Sequence, residues 1–496
     1  MPSVARLLLL LFNINQLYSV EISDRSRKLL LVKKCVRRLH KLFHNSEPHQ
    51  SFPSLLYAHQ FCNIGNPQEL QQRPITFFRQ VLSVVNYPPL LTSPDFPADV
   101  ITRAKKYLAQ VPGGLGAYTH SQGIEIVREE IAEFITKRDG VKASSKDIFL
   151  SDGASPAAQM ILRSLIRSKA DGVMVPIPQY PLYSASIALY GGSMINYYLK
   201  EETGWGLEGA ELERSIIEAR ERGLQVRCIV VINPGNPTGN VLNVENMRTV
   251  VAFAVRHGLV LIADEVYQEN IWDAKKKFTS FKKVAHDMGV LDPTGAPGVR
   301  NDRLQLVSLH SISKGFTGEC GRRGGYFELC GFDEGVRNEL YKLASISICA
   351  NSSGQLLMGM QSQPPVEGEP SYPLYAKERD DILSSLRRRA LRLTAACRQL
   401  EGVTCEETDG ALYAFPRIRL SLRAIAAAKT ANRPPDAFYC RQLLEETGIV
   451  LVPGSGFGQR DGTFHFRTTI LPPEDEIDAV ITGLKTFHAS FTQRYA

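Results

Sequence analysis

The sequence predicts an α/β protein: a large domain on a mostly parallel sheet flanked by helices, accompanied by a smaller α+β domain. Three observations carry this. From about residue 100, short apolar runs alternate with longer stretches of helical period. Those runs are apolar at successive positions rather than every second one, the mark of strands covered on both faces. Beyond the Pro/Gly-rich stretch QPPVEGEPSYP at 363–373, strands become fewer and shorter.

In chain order, residues 123–138 (GIEIVREEIAEFITKR) have helical period, 147–150 form a short strand, and 155–167 are helical behind Ser155 as an N-cap. There follow a strand at 172–177 (GVMVPI), a helix near 182–190, a strand at 193–198 and a charged helix at 211–222. Next come strand 226–232 (VRCIVVI), helix 244–257, and strands 259–263 (LVLIA) and 304–309 (LQLVSL). A long helix at 374–400 leads to short strands near 403, 412–415, 450–452 and 464–467, and then a terminal helix from Pro473. The expected organisation is a basic leader or extension at 1–45, a large domain at 95–362, a linker at 363–373, and a small domain from 46–94 with 374–496.

Composition narrows the function. Nine of the 58 Lys/Arg but two of the 51 Asp/Glu fall in residues 1–45, so the other 451 residues carry 49 of each and the body is neutral. A neutral body lacks the uncompensated cations that phosphate backbones demand, which argues against nucleic acid as partner. The 9 cysteines are scattered and form no CxxC pair, which suits free thiols in a reducing compartment and argues against structural zinc; no metal is expected. Arg6 and the apolar run 7–12 resemble a short signal segment. A basic, acid-poor leader also suits an organellar transit peptide, and a surface helix at 29–42 is the plainer alternative. Cytoplasm and mitochondrion both stay open. No apolar run elsewhere is long enough to span a bilayer.

In open α/β sheets ligands sit beyond the carboxyl ends of the strands, so the residues there are the candidates for a site. After strand 226–232 the chain reads NPGNPTG, where two Pro and two Gly hold the Asn236 amide in place or merely turn the chain. After 259–263 comes DEVYQ, with Asp264 as a buried carboxylate requiring a positive partner, or as a helix cap, and Tyr267 three residues on. After 304–309 comes HSISKGFTGECGRRGG. Lys314 can act there as an imine-forming amine or stand solvated, with Ser311 and an arginine, Arg322 or Arg323, suited to a phosphate; His310 reads as a turn residue. LSDGAS ends a strand and opens a helix, so Ala154 and Ser155 offer N–H groups to an anion. PQYPLY offers Tyr180 or Tyr183 for stacking on a flat heterocycle, with core packing as the alternative for either. Arg467, in HFR, suits a carboxylate. GxxxxGK[ST], HExxH and GxSxG are absent, which removes the usual support for P-loop, zincin and α/β-hydrolase chemistry. An imine-forming lysine, two anion sites, a lone acid, a stacking aromatic and a carboxylate clamp together meet the needs of pyridoxal 5′-phosphate.

NPGNPTG, DEVYQ, SISKGFTGECGRRGGYFE, VPGSGFGQ and HFRTTILPP, in this order and spacing, resemble the class I pyridoxal-phosphate aminotransferases, and most closely their alanine aminotransferase branch, which also contains glutamate:glyoxylate aminotransferases. The similarity runs from about Asn63 (NIGNPQ) to the C-terminus. It implies the fold type I architecture of pyridoxal-phosphate-dependent transferases. It also implies a ping-pong exchange of L-alanine and 2-oxoglutarate with pyruvate and L-glutamate. By motif, Lys314 carries the cofactor imine and shuttles the proton. Asp264 pairs with the protonated ring nitrogen, Asn236 and Tyr267 bond the ring oxygen, and Tyr180 stacks on the ring. Ala154, Ser155, Ser311 and Arg323, the arginine directly before Gly-Gly, cradle the phosphate. Arg467 grips the substrate carboxylate and Gly65 approaches the substrate as a backbone lid. Tyr118 in LGAYTHSQG reaches the partner's cofactor phosphate, which implies a homodimer. The family's Tyr-Ala-Val-Arg-Gly segment has no counterpart in residues 1–60. Competing readings are a glutamate:glyoxylate aminotransferase, disfavoured by the end Gln493-Arg-Tyr-Ala496 without a Ser-Lys-Leu address, a lyase on the same fold, and a catalytically idle interaction protein.

Overall fold

The computed structural model describes residues 60–291 and 303–496, so the expected leader at 1–45 and its helix at 29–42 lie outside the described residues. After a two-residue strand β1 (Gln60–Phe61), seven strands form the central sheet. They are β2 (Ile148–Ser151), β3 (Asp171–Ile177), β4 (Ser193–Tyr198), β5 (Gln225–Ile232), β6 (Val260–Asp264), β7 (Gln305–Ser311) and β8 (Gly325–Cys330), in the order β2-β8-β7-β6-β5-β3-β4. Every pairing is parallel except the two that β8 makes with β2 and β7. Because β8 runs backwards, its first residue lies beside the last residues of both neighbours, Gly325 opposite Ser151 and Ser311.

The strands are apolar throughout because each face has its own helical cover. Val173 and Val175 of β3, with Cys228 and Val230 of β5, pack against Ala157, Ile161, Tyr183 and Leu340. The intervening Met174, Ile229 and Val231 pack on the other face against Leu212, Met247, Val250 and Phe281. Period-two alternation thus feeds two cores rather than a core and solvent. Helix Val244–His257 shows the local logic: Asn243 Oδ1 accepts from the Asn246 N–H at 2.8 Å at its start, and Gly258, at φ +64°, ends it.

The remaining elements form several further packing groups, and the buried apolar residues between Cys62 and Asn86 enter two of them. Cys62 joins a C-terminal core with Cys397, Tyr439, Phe466 and Phe487, and β1 pairs in parallel with Ile449–Val450. Helix Thr76–Asn86 packs instead with Val127, Leu150 and Leu356 beside the central sheet. The chain therefore passes between groups before Ile75, whereas the sequence placed residues 46–94 together. Helix Tyr372–Arg398 follows the Pro/Gly-rich stretch and contributes Tyr375 to one group and Cys397 to the other.

Two local expectations are corrected. Ser155 is not an N-cap: helix Ala154–Leu165 is preceded by Gly153 at φ +101°, a conformation that suits glycine, and Ser155 sits in the first turn. His310 is not in a turn. It lies within β7, buried, its Nε2 3.1 Å from Gln361 Nε2. Among the described residues no helix is long and apolar enough to cross a membrane, and the eight described cysteines are all free.

Candidate active site

Parallel strands ending on one edge, together with the start of the reversed β8, bring their following loops to a common cavity of about 390 Å³. Its lining includes Gly65, Ala154, Ser155, Tyr180, Asn236, Asp264, Tyr267, Ser311, Lys314, Arg323 and Arg467. Eleven of the twelve residues to which the family resemblance gives a role thus face one space. Tyr118 does not; it is 79% exposed and absent from the lining.

Asp264 ends β6 and is buried. Its Oδ2 accepts from the Tyr183 hydroxyl at 2.7 Å, while Oδ1 is buried without a partner among the described residues. Burial pushes this carboxyl above its ordinary range, against the opposing pull of the Tyr183 hydroxyl, the Val266 N–H and the Lys314 cation. A buried acceptor left open in this way suits a protonated ring nitrogen.

Lys314 follows β7, and its Nζ donates to the Gly65 carbonyl at 2.6 Å and lies 5.9 Å from the centre of the Tyr267 ring. Gly65 has to be glycine here, because a Cβ would overlap the Tyr413 hydroxyl and come within 3.1 Å of Lys314 Nζ. Tyr267 and Tyr413 meet edge to face, their hydroxyls 3.4 Å apart. Burial pushes Tyr267 up. For Tyr413 burial acts the same way, but the Lys314 and Arg467 cations together bring it below the ordinary phenol value.

On the anion side, the N-terminus of helix Ala154–Leu165 presents Ala154 and Ser155 beside Arg323. Arg323 Nη1 donates to the Cys320 carbonyl at 2.8 Å, and a Cβ on Gly153 would stand 2.7 Å from Arg323 Nη2. The following Gly324 and Gly325 are tight against the Gly354 and Gly153 backbones, where neither has room for a Cβ.

Arg467 enters on the short strand Phe466–Thr469 and is buried. Its guanidinium carbon lies 4.2 Å from the Tyr413 ring centre and 4.7 Å from that of Phe457. Nη1 donates to Asn236 Oδ1 at 3.1 Å, Nη2 donates to the Asn63 carbonyl, and Nε has no partner among the described residues. Asn236 itself lies between two prolines whose peptide bonds, Asn233–Pro234 and Asn236–Pro237, are both cis.

Sequence reasoning missed Tyr413, which looked like part of an apolar strand, and left Tyr183 undecided between stacking and core packing. A phenol inside an apolar run carries a signal of its own, since its hydroxyl needs a partner once buried. Cys320 also lines the cavity, its thiol donating to the Ser313 carbonyl at 3.0 Å.

The orphaned Asp264 Oδ1, the helix terminus beside Arg323, the half-exposed Tyr180 ring and the Lys314 amine fit pyridoxal 5′-phosphate. The comparisons agree. The family described as Aminotransferase class I and II matches residues 82–484. Alanine aminotransferase 1, mitochondrial, of Arabidopsis thaliana is 54% identical over 88% of this chain and 79% of its own length. Glutamate--glyoxylate aminotransferase 1 of the same plant is 49% identical over 88% of this chain and 90% of its own. The fold matches a solved alanine aminotransferase of Pyrococcus furiosus, with a TM-score of 0.68 at 20% identity over 92% of this chain and 95% of that one. The chain belongs to the class I and II aminotransferases, and its cofactor is pyridoxal 5′-phosphate.

Proposed function

We propose that the protein exchanges L-alanine and 2-oxoglutarate for pyruvate and L-glutamate by a ping-pong mechanism. The observation that supports it best is the pairing of Lys314, capped by Gly65, with Arg467, held between two aromatic rings, in one cavity of about 390 Å³. That space suits a small amino acid beside a cofactor. The higher identity to a relative named for alanine than to one named for glyoxylate points the same way.

When bound, the cofactor supplies an electron sink that acidifies the substrate Cα–H. The remaining work falls to side chains. Lys314 Nζ would take the proton from the substrate Cα and return it to the cofactor carbon C4′, acting as base and then acid. Asp264 keeps the ring nitrogen protonated through its open Oδ1. Asn236 and Tyr267 hydrogen-bond the ring oxygen, and Tyr180 stacks on the ring face. Ala154, Ser155, Ser311 and Arg323 hold the phosphate, Arg467 grips the α-carboxylate, and Gly65 keeps the backbone close enough to exclude water.

The same reading makes the protein a homodimer, with Tyr118 reaching the partner's cofactor phosphate; its 79% exposure supports that role. Cytoplasm or mitochondrion is the compartment, consistent with the basic leader and with a relative named as mitochondrial.

The test is pyruvate formation from L-alanine by the purified holoenzyme, with 2-oxoglutarate against glyoxylate as acceptor. Faster turnover with 2-oxoglutarate upholds the proposal; a glyoxylate preference transfers the protein to the glutamate:glyoxylate activity. Lys314→Ala is expected to lose both the imine absorbance and the transamination.

A further inference from the structure

The side chain that ties the two working cations together is one no motif singled out. Tyr413 lies on the short strand Tyr413–Ala414, paired antiparallel with Phe466–Thr469 so that Tyr413 stands opposite Thr469. Thr469 and Arg467 are two residues apart and share a face, which makes Tyr413 and Arg467 diagonal neighbours and sets the ring 4.2 Å from the guanidinium carbon. The other end of the same side chain abuts Gly65, the residue whose carbonyl accepts from Lys314 Nζ, and faces the Tyr267 hydroxyl at 3.4 Å. Tyr413 is 3% exposed, and Leu412, Ala411 and Val266 pack in the same cluster, so its position is fixed.

We infer that Tyr413 is a positioning residue with two separable functions: its ring holds Arg467 flat for the substrate carboxylate, and its hydroxyl sets the Gly65–Lys314 contact that aims the amine. The inference rests on the proposed transamination and adds a residue to it. The ring acts through shape and cation–π attraction, which a phenylalanine retains. The hydroxyl acts through its crowding of Gly65 and its polar contact with Tyr267, which a phenylalanine lacks. A buried residue with a merely structural role would not divide in this way.

The experiment compares Tyr413→Phe with Tyr413→Leu as holoenzymes, measuring kcat, KM for L-alanine, and the dissociation constant of 2-oxoglutarate by calorimetry. Tyr413→Phe is expected to lower kcat about ten-fold while KM and the dissociation constant stay within about two-fold, since an aiming error acts on the proton transfer alone. Tyr413→Leu is expected to raise KM and the dissociation constant about ten-fold or more. Equal losses in both variants, or a Phe variant identical to wild type, overturn the inference. Should Tyr413→Leu fail to fold, Tyr413→Met replaces it, keeping bulk without a ring. If wild type prefers another amino-acid and oxo-acid pair, the substrate assignment fails, and the split is read with that pair instead.

Discussion

The Tyr183 hydroxyl donates to Asp264 Oδ2 at 2.7 Å, both groups buried, and leaves Oδ1 as the only open acceptor of that carboxylate. One oxygen is taken by the protein, and under the proposed mechanism the other is free for the ring nitrogen. Removing the donor in Tyr183→Phe leaves burial less opposed, so the carboxyl binds its proton more tightly. A protonated acid cannot hold a cationic ring, so the loss grows as pH falls. The cofactor dissociation constant, measured by absorbance titration of the apoenzyme, should rise about ten-fold, equivalent to about 1.4 kcal/mol. Unchanged affinity at every pH would sink this role.

Gly153 joins a left-handed backbone to a crowded neighbour, with φ +101° and space for no Cβ beside Arg323 Nη2. Gly153→Ala should cost roughly 1–3 kcal/mol of stability from strain and, separately, displace Arg323 and weaken phosphate affinity. Gly191, at φ +77° with open space around it, supplies the control. Gly191→Ala should show the strain without any change in pyridoxal-phosphate binding.

Lys282 and Glu328 form a buried ion pair at 2.6 Å, Glu328 lying within β8. Lys282→Met strands a carboxylate in the core and should destabilise by roughly 3–5 kcal/mol in denaturant unfolding. The double variant Lys282→Met with Glu328→Leu should recover most of that, because neither charge then remains. A double variant no better than the single one would show that the pair itself carries the stability.

His310 gives stability a dependence on acid. Burial, reinforced by the nearby Arg138 cation, lowers its pKa from 6.5 to about 3. Between these values the unfolded chain binds a proton that the folded chain refuses, so stability falls with pH from about 6.5 towards 3 and is flat above. The slope from this one group is at most about 1.4 kcal/mol per pH unit. His310→Gln should flatten melting temperature against pH over that range; an unaltered slope would assign the acid sensitivity elsewhere.

The elements legible in the sequence were those whose pattern has a single cause. Leu182–Tyr190, Ser193–Tyr198 and Val244–His257 begin and end where periodicity and the flanking Gly and Asn place them. Strand β8 was invisible because Glu328 interrupts its apolar run, and only tertiary structure supplies the Lys282 that neutralises it. The reversal of β8 was equally hidden, although it accounts for Arg323 lying beside Ala154 and Ser155, far away in sequence. The loops after β5, β6 and β7 were readable as a site because Gly, Pro and lone charges stand at strand ends. Tyr413 was not, since nothing local distinguishes a phenol that holds a guanidinium from one that fills a core.

The stretch from Gln60 to Gly65 gives the cavity an unusual tether. It zips onto Ile449–Val450 at one end, and its carbonyls at Asn63 and Gly65 accept from Arg467 and Lys314. Both cations thus arrive with a neutral oxygen already in hand. An incoming molecule that takes Nη2 must outcompete a peptide carbonyl for it, and a carboxylate does so because its charge strengthens the bond about two-fold, whereas an amide or alcohol gains nothing by the exchange. Filtering by charge is therefore set by six residues of backbone, and a change in that segment should alter which guests are admitted while leaving Lys314 and Arg467 in place.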